Sequence, residues 1–285
     1  VLSITYKQEK QYIATLNKLR EISANQSKST DFSHYPLVFF TLVIIFVEFL
    51  NGFVPAVTLV AHLILLQVLV IYVSADWNNP KQRYLIVCAV APIMRILDLG
   101  LPFPELTLVY RTAIQGLGML IVSTMLIYTL KIDLKSLGFR IKNLPIQIPI
   151  ALLGLLFGLS FSILIPIKLP LSLHTVPVEL FAAEIFIVIA LGALEGFVFQ
   201  GLLLNTLQNV VKDRLSAPIF VAMIYASLFL HTGALPYVAL VFGTTLFFNY
   251  LTIITRNVIG TCVAYGLINL VVFVIVPMGL IPGIG

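Results

Sequence analysis

Four side chains stand out as able to do chemistry in a chain that is otherwise strongly apolar. Glu195 lies in LGALEGFVFQGLLLNTL, His231 ends AMIYASLFLH, and Tyr265 and Asn269 lie in CVAYGLINLVVF. Ionisable groups inside membrane-length apolar runs are costly to keep and are functional candidates by default. A buried carboxylate beside an imidazole can hold and deprotonate a water molecule. An Asn amide and a Tyr hydroxyl can donate hydrogen bonds to a developing oxyanion. Together the four suit hydrolysis of an amide bond within a membrane. The same residues also fit a plainer role, with Glu195 protonated or paired with His231 as a polar link between helices. Spacing alone favours the plainer role, because structural pairs perturb titration as active sites do.

Whether these groups can meet depends on the elements that carry them. Of the 285 residues, 60% are hydrophobic and 10% charged, against about 25% charged in an average soluble domain. The mean hydropathy of +1.06 points the same way. So much apolar surface suits a bilayer, in which every backbone polar group must be paired internally, by helices or by a closed barrel. Long apolar runs without period-2 alternation select helices. The expected fold is therefore all-α: a polytopic transmembrane helical bundle of eight or nine spans. A span needs about 20 apolar residues. Spans are expected near 36–54, 55–75, 84–98, 105–130, 147–167, 178–208, 217–231, 234–255 and 257–279, the third short enough to be re-entrant. Residues 1–35 read as an N-terminal interfacial helix, with Ile13, Leu16, Leu19 and Ile22 on its apolar face and a linker at Ser27 to Asp31. Residues 36–130 form the N-terminal spans and 131–285 the C-terminal core. The chain opens at Val1 rather than Met, as a processed chain or one whose native start precedes Val1; no signal peptide is visible.

Basic residues set the orientation. Lys7, Lys10, Lys18, Arg20 and Lys28 precede the first span, and Lys81 and Arg83 follow the second. Lys131, Lys135, Arg140 and Lys142 follow the fourth, Lys212 and Arg214 the sixth, and Arg256 the eighth. In a nine-span topology all of these share one side, and the N-terminus is cytoplasmic. The opposite loops hold mainly Asp98, Glu105, Lys168 and His174. The net charge of +5 is then a topology signal, and no nucleic-acid partner is expected. Measured from the cytoplasmic ends at about 1.5 Å per residue, Glu195 lies about 20 Å deep, His231 about 21 Å, Asn269 about 18 Å and Tyr265 about 12 Å. Three groups on three helices thus reach a common level.

Other features read as structural. Gly192 with Gly196, and Gly154 with Gly158, are GxxxG pairs that let helices approach closely. Arg95 and Asp98 lie one turn apart and can neutralise each other near an interface. His62 and His174 have no partner in sequence, and Asn25-Gln26-Ser27 is a chance sequon on the cytoplasmic side. Cys88 and Cys262 lie in apolar stretches with no CxxC motif. There is no HExxH and no third ligand near Glu195 and His231, whereas catalytic zinc takes three protein ligands; neither a metal nor another cofactor is expected.

The pattern around Glu195 resembles a known family. EGFVFQGLLLNTL resembles the EExxxR-G motif of the CAAX protease and bacteriocin-processing family of intramembrane, glutamate-type, metal-independent proteases. SLFLH is similar to its FxxxH motif, YGLIN to its HxxxN motif, and DLKSLGFRIKN to a basic segment common ahead of its core. The resemblance covers about residues 131–279 and implies a multi-helix membrane fold. It also implies that Glu195 is the base, His231 its partner and Asn269 the oxyanion donor, with Tyr265 at a histidine position. Four motif positions depart from the family: Gly196 replaces the second glutamate, Gln200 the arginine, Ser227 the phenylalanine and Tyr265 the histidine.

Two functions follow from this resemblance. One is an intramembrane endopeptidase acting on a membrane-embedded peptide. The other is a non-catalytic relative serving as scaffold, assembly factor or accessory subunit among other membrane proteins. A transporter ranks behind both, since no inverted repeat is evident. The lipid bilayer is the common partner, in a cell membrane or a thylakoid-type membrane.

Overall fold

The computed structural model describes residues 34–100, 108–140, 144–164, 178–211, 215–279 and 281. The N-terminal helix and linker, the Asn25 sequon, Glu105, Lys142, Lys168, His174, Lys212 and Arg214 lie outside the described residues. Most of those described are helical, with no strand among them. In chain order they form α1 (His34–Asn51), α2 (Pro55–Ala75), α3 (Pro80–Tyr84), α4 (Val90–Gly100), α5 (Leu108–Leu130) and α6 (Leu144–Leu164). Then follow α7 (Val178–Gly196), α8 (Leu204–Val210), α9 (Ser216–Ser227), α10 (Leu235–Thr255) and α11 (Ile259–Leu270).

Prolines set several boundaries. Pro55, Pro80 and Pro236 open α2, α3 and α10 at positions where the missing N–H costs no hydrogen bond. Pro92 cannot bond to the carbonyl one turn earlier, and the 3₁₀ segment Leu85–Ala89 lies just ahead of it. The third apolar run is thus three short pieces in place of one continuous span. The sixth, Ala182–Val210, is the longest apolar helical stretch among the described residues.

Among the described residues, five helices are long and apolar enough to cross a membrane, and Tyr35–Asn51, Ser216–Thr232 and Ile259–Ile275 are shorter apolar helices. Their outward faces carry large side chains such as Phe46, Ile71, Leu156 and Ile254 in exposed positions. This is an integral membrane protein whose outer apolar surface is solvated by lipid.

The core is organised around α11, which lies against both α6 and α7. Small residues make that possible. A Cβ on Gly158 would fall 2.7 Å from Val271 Cβ, and one on Gly196 would fall 2.8 Å from Cys262 Cα. Gly154 and Gly192 face the backbone carbonyls of Ala264 and Tyr265 even more closely. The two GxxxG pairs therefore clamp one helix from two sides, which is close-approach packing driven by dispersion contacts between backbones. The start of α11 has its orphan donors met from outside the helix. Asn257 Oδ1 accepts from Ile259 N–H at 3.0 Å, and Gln147 Oε1 from Gly260 N–H at 2.9 Å. Around this centre, α9 packs on α10 and α1, α5 on α7 and α4, and α2 on α1 and α4.

Candidate active site

Glu195 is the penultimate residue of α7, and the helix changes character just after it. Phe197–Leu203 forms a π-turn, in which Leu204 N–H bonds to Phe199 O. Asn205 Nδ2 reaches back to the Gly201 carbonyl at 2.7 Å. Asn269 sits in the same relation to α11, which passes into a π-turn at Val271–Ile275. Such turns insert one residue into a helix and re-aim the side chains beside it, often at functional sites.

The Glu195 carboxylate accepts a hydrogen bond from Tyr225 O–H at 3.1 Å. Tyr225 stands on α9, and its ring meets Phe199 edge-on, with centroids 4.5 Å apart. Glu195 lies between two cavities. One, of about 180 Å³, is lined by Arg95, Asp98, Gln115, Tyr225 and His231. The other, of about 80 Å³, is lined by Tyr237, Thr244, Thr245, Tyr265 and Asn269. Both set these polar groups in a mainly apolar wall, and the larger has room for more than one water molecule. A larger cavity elsewhere, at the end of the bundle that carries Arg140 and Arg256, does not include these residues.

His231 owes its setting to the end of α9. Beyond Ser227 the chain tightens into the 3₁₀ turn Leu230–Thr232 and stops at Gly233 in the left-handed region, at φ +68°. Carbonyls at such an end lack helical partners. The Leu228 carbonyl accepts from Arg95 Nη2 and lies 2.9 Å from His231 Nδ1. A carbonyl can only accept, so Nδ1 carries the hydrogen. In the neutral ring Nε2 is then the basic nitrogen.

Arg95 belongs to a buried charged network that local sequence does not reveal. Its Nη2 lies 2.8 Å from Glu48 Oε2, and its Nη1 lies 2.8 Å from Asp98 Oδ2. Glu48 Oε1 lies 3.2 Å from His62 Nε2, and Gln115 Nε2 donates to Asp98 Oδ1 at 2.7 Å. Arg95, Glu48 and His62 are buried. The expected Arg95–Asp98 pair is present, but it is the rim of a larger cluster drawn from α1, α2, α4 and α5. His62 is not the isolated residue the sequence implies; Glu48, a carboxylate inside LVIIFVEFLN, is beside it.

The positions that depart from the family motifs have local partners. Gln200 Nε2 donates to Tyr265 Oη at 3.0 Å, and Tyr265 Oη also lies 3.0 Å from Thr245 Oγ1. Gln200 and Tyr265, replacing an arginine and a histidine, therefore bond to each other. Gly196 lies against α11, leaving no space for a side chain. Ser227 Oγ donates to the Ile224 carbonyl at 2.7 Å, within its own helix. The Asn269 amide lies against Gly192, whose added Cβ would come 2.8 Å from Nδ2. Of the four residues singled out by sequence, Glu195 shares one cavity with His231 and the other with Tyr265 and Asn269. Tyr225 and Arg95 are the additions; the signal for Tyr225 is a polar residue in the same apolar run as His231.

Residues 177–271 match the family model described as type II CAAX prenyl endopeptidase Rce1-like. That stretch holds α7 to α11 and all four of these residues. No match was found among curated proteins or among solved structures.

Proposed function

This chain belongs to the CAAX protease and bacteriocin-processing family, and from that premise we propose that it is an intramembrane glutamate-type endopeptidase. The observation that carries the reading is the position of Glu195, whose carboxylate lines the cavity of His231 and the cavity of Asn269. Tyr225 donates to one carboxylate oxygen and leaves the other for a water molecule. Glu195 takes a proton from that water as it attacks the scissile carbonyl carbon, and His231 Nε2 accepts from the same water. Asn269 donates to the resulting oxyanion. Collapse breaks the C–N bond, and the proton held by Glu195 passes to the leaving amine. The Tyr265 hydroxyl, engaged by Gln200 and Thr245, positions α11 and does not touch the reacting atoms.

The test is cleavage of a membrane-embedded reporter peptide by the purified protein in lipid nanodiscs. Glu195→Gln is expected to lower the rate at least a hundredfold while the melting temperature stays within a few degrees. Asn269→Ala should lower it by about 10²–10³. Cleavage by Glu195→Gln at the wild-type rate would overturn the assignment.

A second reading is favoured by the Gln200–Tyr265 bond and the Gly196 packing. Family positions of the motif have here been given structural partners, which suits a non-catalytic relative that holds other membrane subunits. Stoichiometric partners copurifying from native membranes, with no cleavage by the assembled complex, would establish it.

A further inference from the structure

The cavity at the opposite end of the molecule from His231 has no part in that chemistry. It has a volume of about 1040 Å³ and is bounded by the loop after α5, the end of α8 and the turn between α10 and α11. Arg140 and Arg256 line it together with Ser136, Asn205 and Gln208, and no acidic side chain is among the described residues that line it. Its remaining wall is mainly apolar, Thr252 aside, and continues onto the outer face of the bundle through Tyr250 and Ile254, both exposed.

The segments that carry the two arginines come from distant parts of the chain and are joined by specific bonds. Val258 N–H donates to the Gly138 carbonyl at 3.0 Å, and Asn257 Nδ2 donates to the Arg140 carbonyl. Asn205 Nδ2 lies 3.4 Å from the Leu137 carbonyl and ties α8 to the same loop. Arg256 caps α10 in the left-handed region, at φ +50°. Glycine adopts that conformation freely at helix ends, and a side chain there carries strain. An orientation signal alone needs positive charge somewhere in a loop. It needs neither convergence on one cavity nor an arginine in a glycine conformation.

We propose that this cavity binds a phosphate-bearing anion. Guanidinium groups suit phosphate because their N–H forks match its oxygens. The apolar wall beside them fits an acyl chain, so an anionic phospholipid is the expected source and a soluble phosphate ester the other.

The experiment is native mass spectrometry of the full chain released from micelles with equal phosphatidylglycerol and phosphatidylcholine. Wild type is compared with Arg140→Gln/Arg256→Gln and with Arg256→Gly. A parallel arm follows thermal stability against inorganic phosphate and glycerol phosphate. Wild type is expected to retain phosphatidylglycerol over phosphatidylcholine, and the double variant to lose about tenfold in occupancy. Arg256→Gly, which relaxes the backbone, should lose lipid without losing stability, separating binding from folding. An arginine-dependent response to the soluble phosphates alone would keep the anion site and make its ligand soluble. Equal retention of both lipids, or phosphatidylglycerol occupancy unchanged in the double variant, with no arginine-dependent phosphate response, would overturn the proposal.

Discussion

Arg95 connects parts of the molecule that share no sequence motif. Its guanidinium joins Glu48 on α1 to Asp98 on α4, and it shares the Leu228 carbonyl with the imidazole of His231. Removing one member of a buried ion pair leaves the other charged and unpaired, which costs about 3–5 kcal/mol. Arg95→Leu is therefore expected to destabilise by that amount in reversible unfolding from mixed micelles. Adding Glu48→Gln should recover part of the loss, because a neutral amide replaces the stranded carboxylate. Equal stability of the single and double variants would show that Glu48 is not the group Arg95 neutralises. Tyr265→Phe removes the hydroxyl that accepts from Gln200, leaving a buried donor unmet at a cost of about 1–3 kcal/mol. If Tyr265 is a positioning residue, this variant keeps most of its cleavage rate while Asn269→Ala loses it. At this scale the sequence is legible where a polar residue interrupts an apolar run, as Glu195, His231 and Asn269 do. Glu48 meets that criterion equally, and attention to paired motifs passes over it. Its partners Arg95 and His62 are far away in sequence, and apolar periodicity carries no information about which helix faces which.

The motif departures become intelligible at the level of the helix. Gly196 occupies the place of the family's second glutamate, and α11 passes so close that even a methyl group meets Cys262 Cα at 2.8 Å. Overpacking of this kind costs about 1–3 kcal/mol per added group, and more where the obstacle is backbone. Gly196→Ala should thus lower the melting temperature measurably, and Gly196→Glu should prevent folding instead of restoring a family site. Gly243, on the exposed side of α10, has nothing within 4 Å of an added Cβ. Gly243→Ala is the matched control and should be neutral or stabilising by about 0.5–1 kcal/mol. A Gly196→Ala protein as stable as Gly243→Ala would remove the packing explanation. GxxxG spacing makes the close approach readable in sequence, though not that both pairs grip the same helix. The π-turns after Glu195 and Asn269 left no mark in the sequence, because the extra residue is accommodated within unbroken apolar runs.

Across the whole molecule, the turns fall into two sets. The turn between α1 and α2 lies at His231, where a Cβ on Gly52 would come 3.8 Å from His231 Cα. The loop after α5 lies at the turn between α10 and α11, joined by the Val258–Gly138 hydrogen bond, and α3 packs on α8. Of the described basic residues, Lys81, Arg83, Lys131, Lys135, Arg140 and Arg256 lie on the segments of the second set, Arg95 and Arg111 lie within α4 and α5, and the first set carries His231. We propose from this separation that every apolar run crosses the membrane, the interrupted Pro80–Gly100 included, which would make nine spans. Single cysteines give the measurement, since Cys88 and Cys262 are both buried and give little background with a membrane-impermeant maleimide. Lys81→Cys, Lys135→Cys and Arg256→Cys are expected to label from one side of sealed vesicles. Phe53→Cys and Thr232→Cys should label only from the other. The third run decides the count: if it does not cross, Lys81→Cys and Lys135→Cys must label from opposite sides. Eight spans would then replace nine, and the basic loops would no longer share one face of the membrane.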